Sequence, residues 1–279
     1  MSPGPATNDY DARIATYGER LWLAKTNRTK GGAFSSRVFE FRGDSWVPLP
    51  GEFESTLDSQ LELAGVSSPG PDESAPCVGY TSPKGIGQVQ CFRDARWKPV
   101  NLPKRLRSYL LAGLVSQHGV LTALLVSSDA SSTSVQVASS ERRADRLEPV
   151  GPPISLKGQV LANLGEPTSA SSASPIDVGF ENIKTGQRWV ATLHSSGWSH
   201  TDLLTRPAGP QTSGPARTSD SLFIPVVNAI TDGGPDRDWP FSVYRHQKNR
   251  WNQLGGKSVS SGIGDAQGTT GLVGDRSSS

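Results

Sequence analysis

The chain has 279 residues with 28 basic and 26 acidic side chains, a formal charge of +2, so it lacks the field needed to hold nucleic acid or an acidic membrane by charge alone. Aromatic residues make up 7% and charged residues 19%, while 30 glycines and 21 prolines punctuate the text; this excludes a long-helix protein and suits short strands joined by turns. The apolar stretches Tyr109 to Val115 and Val120 to Val126 are too short for a transmembrane helix, and the start Met1-Ser2-Pro3-Gly4-Pro5-Ala6 has no apolar run, so a soluble chain, cytoplasmic by default, is expected.

In chain order, a tail over residues 1–12 is followed by Ile14 to Tyr17, a candidate innermost strand, and by the apolar run Leu21 to Ala24. The alternating run Val38 to Phe41 then ends in the polar turn Arg42-Gly43-Asp44-Ser45, and Trp46-Val47-Pro48-Leu49 follows, which reads as a hairpin. The pattern returns. Small-residue segments Leu63 to Val66, Leu111 to Leu114 and Leu161 to Leu164 predict inner strands, where blades crowd together. The apolar runs Cys77 to Tyr80, Val120 to Val126, Ile176 to Phe180 and Leu222 to Val227 predict second strands. Third strands are predicted at Val89 to Phe92, Val135 to Ala138, Trp189 to Leu193 and Phe241 to Tyr244, and outer strands begin at Trp97, Leu147, Trp198 and Trp251.

The outer-strand marks are 51, 50, 51 and 53 residues apart, the period of stacked four-stranded units that cannot bury an apolar face singly. The prediction is an all-β chain, a β-propeller of about five four-stranded blades forming a single domain over residues 13–275, with a tail at 276–279; a truncated six-bladed ring is the alternative. Thr269 to Gly274 is expected to complete the first blade by joining its other three strands, with Ile14 to Tyr17 competing for that place. Thr205 to Asp220, rich in proline and glycine, reads as a long loop.

The two cysteines sit symmetrically about Lys84, which places Cys77 opposite Cys91 across a hairpin. The expectation is two small buried hydrophobes facing each other, with a cross-strand disulfide as the alternative.

The segment Phe241-Ser242-Val243-Tyr244-Arg245-His246-Gln247-Lys248-Asn249-Arg250-Trp251-Asn252-Gln253-Leu254-Gly255 resembles the repeat of bacterial and lectin-like propellers, and Phe41 to Leu49 is similar. Five-bladed tachylectin-type lectins are the nearest in size and construction. The resemblance implies sugar binding in shallow pockets between blades.

Four residues before the marks stand Arg42, Arg93, Arg143 and His194, and the fifth repeat, with a longer turn, offers Arg245 or His246. Turns from every blade project to one rim, so these residues are candidate binding positions for an anionic glycan or an acidic protein, against the alternative of solvated turns. Trp46, Trp97, Trp198 and Trp251, with Leu147 in the third repeat, are expected to pack between blades. No catalytic residue, metal site or cofactor is predicted: His118, His194, His200 and His246 lack metal-ligand spacing. Gly255-Gly256-Lys257-Ser258 lacks the first glycine of a phosphate loop, and the sialidase-type Asp box is absent. The functional expectation is therefore a non-catalytic propeller that binds a glycan or protein partner, with neither nucleic acid nor membrane. A glycosidase using carboxylates such as Asp58, Asp177 and Asp220 is the alternative, as is a pure interaction platform. Loops Lys25 to Ser36 and Ala229 to Asp238 are where an unrepeated site is expected.

Overall fold

The computed structural model describes residues 9–29, 33–55, 61–67, 74–117, 119–127, 134–143, 146–157, 160–161, 175–182, 187–194, 197–203, 216–217, 221–227, 239–248 and 250–260. Apart from one 3-10 turn at Lys104–Leu106, every described element is a strand. No described helix is long and apolar enough to cross a membrane. The chain divides into two compact units, Met1–Asp129 with Gln136–Pro153, and Ala130–Val135 with Ile154–Ser279.

The first unit holds three antiparallel meanders. β1 (Asp9–Tyr17), β2 (Arg20–Arg28), β3 (Phe34–Arg42) and β4 (Ser45–Pro48) form the first sheet, and a short β5 (Phe53–Ser55) pairs with β3. β6 (Glu62–Ser67), β7 (Ser74–Thr81), β8 (Gly87–Arg93) and β9 (Arg96–Pro99) form the second. β10 (Tyr109–Gln117), β11 (Val120–Ser127), β12 (Ser134–Arg143) and β13 (Arg146–Pro149) run in order in the third.

Period-two patterning explains β2 and β3 of the first sheet, and two-sided burial explains β7 of the second. β2 buries Trp22, Ala24 and Thr26 and leaves the alternate residues partly open, and β3 likewise buries Phe34, Ser36, Val38 and Glu40. All eight residues of β7 are buried. Its Val78 and Tyr80 pack with Trp22, Leu49, Phe53 and Leu61 toward the first sheet, whereas Cys77 packs with Leu111, Leu114, Leu121 and Leu125 toward the third. A strand covered on both faces reads as a continuous apolar run, and each large aliphatic side chain buried there contributes about 1.5–3 kcal/mol.

The inner strands approach closely, as their small residues predict. β6 lies beside both β1 and β10. A Cβ placed on Gly65 of β6 would come within 2.7 Å of the Thr16 carbonyl oxygen and 2.8 Å of Trp22 Cζ3, so glycine is required by contact and not by backbone angle.

The second unit comprises β14 (Ile154–Lys157), the sheet β15 (Val160–Leu161), β16 (Ile176–Asn182), β17 (Gln187–His194), β18 (Gly197–Leu203), and the sheet β19 (Ala216–Arg217), β20 (Leu222–Val227), β21 (Trp239–Gln247), β22 (Arg250–Ser260). Val190 of β17 packs with Leu222 and Ile224 of β20, and Tyr244 and Trp251 cover that cluster. Among the described residues there are therefore five meanders, in each of which four strands pair in chain order.

Several expectations need correction. The strand paired with β2 is β1, from Asp9↔Asn27 to Tyr17↔Arg20, so Ile14 to Tyr17 takes the place for which it competed; Thr269 to Gly274 lies outside the described residues. β1 also takes in Asp9 to Ala12 of the expected tail. Cys77 and Cys91 are opposite as expected but are joined by a disulfide, with Cα atoms 4.0 Å apart; direct pairing across adjacent strands brings the two sulfurs into reach. Lys25 to Ser36 is largely strand, since β2 and β3 pair out to Arg28↔Phe34. Most of Thr205 to Asp220, and all of Ala229 to Asp238, lie outside the described residues, although Ala216 and Arg217 form a strand.

The hairpin turn of the second sheet carries strain that the sequence could have avoided. Asp94 and Ala95 both have positive φ, 50° and 58°, the pattern of a type I′ turn in which the second residue is best glycine. Ala95→Gly is expected to raise stability by about 0.5–1 kcal/mol in urea unfolding. An unchanged or lowered midpoint would show that the turn relaxes without cost.

Candidate functional site

The candidate site is an open edge of the second sheet, and it arises from a local break in the repeat. In the first sheet, Leu49 N–H donates to Val38 O at 2.8 Å, the chain then leaves β3, and β5 returns to pair Phe53 with Ser36 and Ser55 with Phe34. Fifty-one residues later the same bond recurs, Val100 N–H to Val89 O at 2.8 Å, but the returning segment is the turn Lys104–Leu106 and no strand forms. The substitutions explain the difference. Phe53-Glu54-Ser55 is replaced by Lys104-Arg105-Leu106, which has more helix-forming character, and Glu52 is replaced by Pro103, which has no N–H to bond an edge.

The consequence is a groove of about 310 Å³ between the edge of β8 and the segment Pro99 to Arg107. Its apolar contact comes from Ile86, Val100 and Leu102, and its polar groups are Gln88, Gln90, Asn101 and Arg107. Gly87 on the groove floor packs so closely that a Cβ would lie 2.9 Å from the Tyr109 carbonyl oxygen of β10.

A buried phenol orients the two glutamines. Tyr80 O–H donates to Gln88 Oε1 at 2.7 Å, and Gln90 Nε2 donates to the Tyr80 oxygen at 2.8 Å. The remaining Gln88 NH₂ donors and the Gln90 carbonyl oxygen are left for a ligand, giving the groove both polarities. Burial pushes the Tyr80 phenol above its ordinary value of 10.0, and the Gln90 hydrogen bond offsets part of that rise. A raised folded value means that the native state holds this proton more tightly. The stabilisation is complete below about pH 10 and is lost as pH rises through the folded value. The unfolding free energy is expected to fall above pH 10 in the parent and less steeply in Tyr80→Phe; equal slopes would sink the assignment.

At the corresponding edge of the first sheet a depression of about 300 Å³ is lined by Arg37, Pro48, Leu49, Gly51 and Glu52. There the charged groups satisfy each other: Ser35 Oγ and Arg37 Nη2, the latter at 3.2 Å, both donate to Glu52. These bonds, Ser35 foremost, hold the Glu52 carboxyl below its ordinary value. Trp97 Nε1 donates to Pro50 O at 2.6 Å and its ring meets Phe53 edge-on with centroids 5.0 Å apart, so Trp97 seals this place from the neighbouring sheet.

No protein-family model and no curated protein matches the chain. Among solved structures, a mutant of the Aleuria aurantia lectin AAL in complex with Fucalpha1-6GlcNAc gives a TM-score of 0.52 at 12% identity, over 95% of this chain and 82% of that one. The SapL1 lectin in complex with alpha methyl fucoside gives 0.50 at 12% identity, over 90% and 81%. The fold is a β-propeller. A puromycin-hydrolyzing peptidase of Mycobacterium tuberculosis is similar at TM-score 0.49 and 11% identity over 87% of this chain, but the chain spans only 38% of that protein's length. Identities this low speak to architecture and leave the ligand to be argued from the propeller's own residues.

The basic turn positions occupy equivalent places in the propeller's hairpins but differ in surroundings. Arg42 pairs across its turn with Ser45, Arg93 with Arg96, Arg143 with Arg146 and His194 with Gly197. Arg42 is engaged with the buried Glu40, donating from Nε to Oε2 at 2.7 Å, while Arg20 holds the other oxygen through its own Nε at 2.7 Å. Arg93 is partly buried, and the neighbouring Asp94 carboxyl is held low mainly by Lys98, with Arg96 and Arg93 as smaller contributors. His194 is exposed, its Nε2 3.0 Å from Ser199 Oγ. The Arg143 side chain lies outside the described residues.

The fifth hairpin corrects the sequence reading. Gln247 pairs with Arg250, so its turn is as short as the others and the equivalent position is Gln247. Arg245 lies two residues inward, opposite Asn252, and its Nε is buried with no hydrogen-bond partner among the described residues. His246 instead packs on Trp251, with ring centroids 4.8 Å apart.

The marked tryptophans are partly buried; among the described side chains the deeply buried tryptophans are Trp22 and Trp189, at 0% and 4% exposure. Asp177 is buried in its sheet and accepts a hydrogen bond from Thr192 Oγ1 at 2.6 Å, a structural arrangement that leaves it away from solvent. Asp58, Asp220, His118 and the His200 side chain lie outside the described residues. No cluster of three potential metal ligands occurs among the described residues. Gln88, Gln90, Asn101 and Arg107 carry no mark in the sequence, because the repeat makes conspicuous only the positions that recur. The signal was a position that fails to recur, Pro103 in place of Glu52.

Proposed function

We propose that this chain is a non-catalytic carbohydrate-binding propeller of five blades, with the open edge of the second sheet as its primary contact. The observation that supports this reading is the groove itself, where the oriented amides of Gln88 and Gln90 share the lining with Asn101 and with apolar Ile86, Val100 and Leu102. A sugar presents hydroxyls that donate and accept above C–H faces, which this arrangement complements. Its lining includes no carboxylate, so the acid and nucleophile of glycoside hydrolysis have no candidates there. Arg42, Arg93, Arg143, His194 and Arg245 are proposed as weaker contacts repeated across the blades.

A glycan array probed with the purified chain tests the reading, alongside Gln88→Ala/Gln90→Ala and Arg42→Ala/Arg93→Ala/Arg143→Ala variants whose folding is checked by circular dichroism. Losing both amides is expected to weaken binding about tenfold, at roughly 0.5–1.5 kcal/mol for each lost hydrogen bond. The arginine variant should lose severalfold, and more of it at low salt. A blank array, or full binding by the glutamine variant, would overturn the assignment.

A further inference from the structure

The groove's charge narrows the class of sugar, an inference that rests on the carbohydrate reading above. Arg107 is its one charged lining residue, and the adjoining turn adds exposed Lys104 and Arg105. None of these three pairs with a carboxylate among the described residues, in contrast to the corresponding edge of the first sheet, where Arg37 is matched by Glu52. Pro103 stands where Glu52 stands in the first repeat, so the replacement that opens the groove also removes the acid that would neutralise it.

The lining also contains no aromatic ring. Stacking of a pyranose on an indole or phenol, the usual source of affinity for a neutral sugar, has no platform there, and directional polar contacts must supply the difference. A guanidinium offers a planar fork that matches a carboxylate or sulfate with two parallel hydrogen bonds, each stronger than its neutral counterpart.

We infer that the groove takes an acidic saccharide, whose carboxylate or sulfate sits on Arg107 while neighbouring hydroxyls meet the free groups of Gln88 and Gln90. Lys104 and Arg105 raise the local concentration of such a ligand without touching it, an effect that salt suppresses.

Titration calorimetry on the full chain at 50 and 300 mM salt tests this with three probes: trigalacturonate, its neutral methyl ester and a sulfated trisaccharide. At least one acidic probe is expected to bind about fivefold to tenfold more tightly than the ester at the lower salt. Arg107→Ala should remove that preference, and Arg107→Lys should retain part of it. Equal binding of ester and acids would overturn the inference and leave the carbohydrate reading standing. A preference that survives Arg107→Ala would overturn the role given to Arg107. Failure of all three probes, with neutral glycans positive on the array, would overturn the acidic class; failure of every saccharide would overturn both readings.

Discussion

Replacing both cysteines, as Cys77→Ala/Cys91→Ala, is expected to lower the stability of the first unit by about 3 kcal/mol, the loop-closure effect for a bond spanning 14 residues. At roughly 2–4 °C per kcal/mol for a chain of this size, the thermal midpoint should fall by about 6–12 °C. Alanine is the suitable replacement because the two residues are 0% and 1% exposed, and a serine hydroxyl there would add an unpaired polar group. The bond sits between two layers: Cys77 and Cys91 belong to the cluster with Leu111, Leu114 and Leu121, on the face of the second sheet turned toward the third. Denatured protein treated with an alkylating agent should gain no label until reductant is added. Labelling without reductant would show free thiols, and an unchanged midpoint in the variant would mean that strand pairing alone carries this hairpin.

Trp22→Ala should cost about 3–5 kcal/mol, the largest single-residue effect expected in the chain. The side chain is completely buried, and it touches β6 where Gly65 has no side chain, joining the first and second sheets. Arg20 covers it from the solvent side, its guanidinium carbon 5.4 Å from the ring centroid, and the same arginine reaches across to the Ser74 carbonyl oxygen at 2.8 Å. Trp22→Phe should cost much less, because the indole Nε1 is buried without a hydrogen-bond partner among the described residues and its removal relieves a desolvated donor. Chemical denaturation of both variants decides the matter. A Trp22→Ala loss below about 1 kcal/mol would show that the two sheets are held mainly elsewhere.

The architecture was legible because its physical cause is periodic. A strand face turned inward every second residue and an inner strand crowded to alanine and glycine leave marks that repeat with the blade, and β2, β3, β6 and β8 fall where those marks lie. The repeat also exaggerated what recurs. Arginines at equivalent turns look alike in the text, yet Arg42 is bound to Glu40, and Glu40 becomes visible as its partner only when two residues on one strand are seen to point to the same side. Tyr80 is likewise an ordinary strand residue in sequence; its role as a clamp on Gln88 and Gln90 comes from cross-strand register. The disulfide was half legible, since register brought the cysteines opposite but symmetry about Lys84 does not distinguish a thiol pair from a bond.

On the carbohydrate reading proposed above, the absent fifth strand of the second sheet sets binding and robustness against each other. Gly85, Ile86 and Gly87 occupy the stretch that β5 would cover by analogy with the first sheet, so ordinary selection for a firmer sheet would favour exchanging Pro103-Lys104 for the Glu52-Phe53 text. Such a chain would be more stable, better shielded against edge-to-edge aggregation, and empty-handed. A library screened for thermostability alone should therefore enrich substitutions at 103–107 that silence the protein, while one screened for ligand capture should keep that edge unfinished.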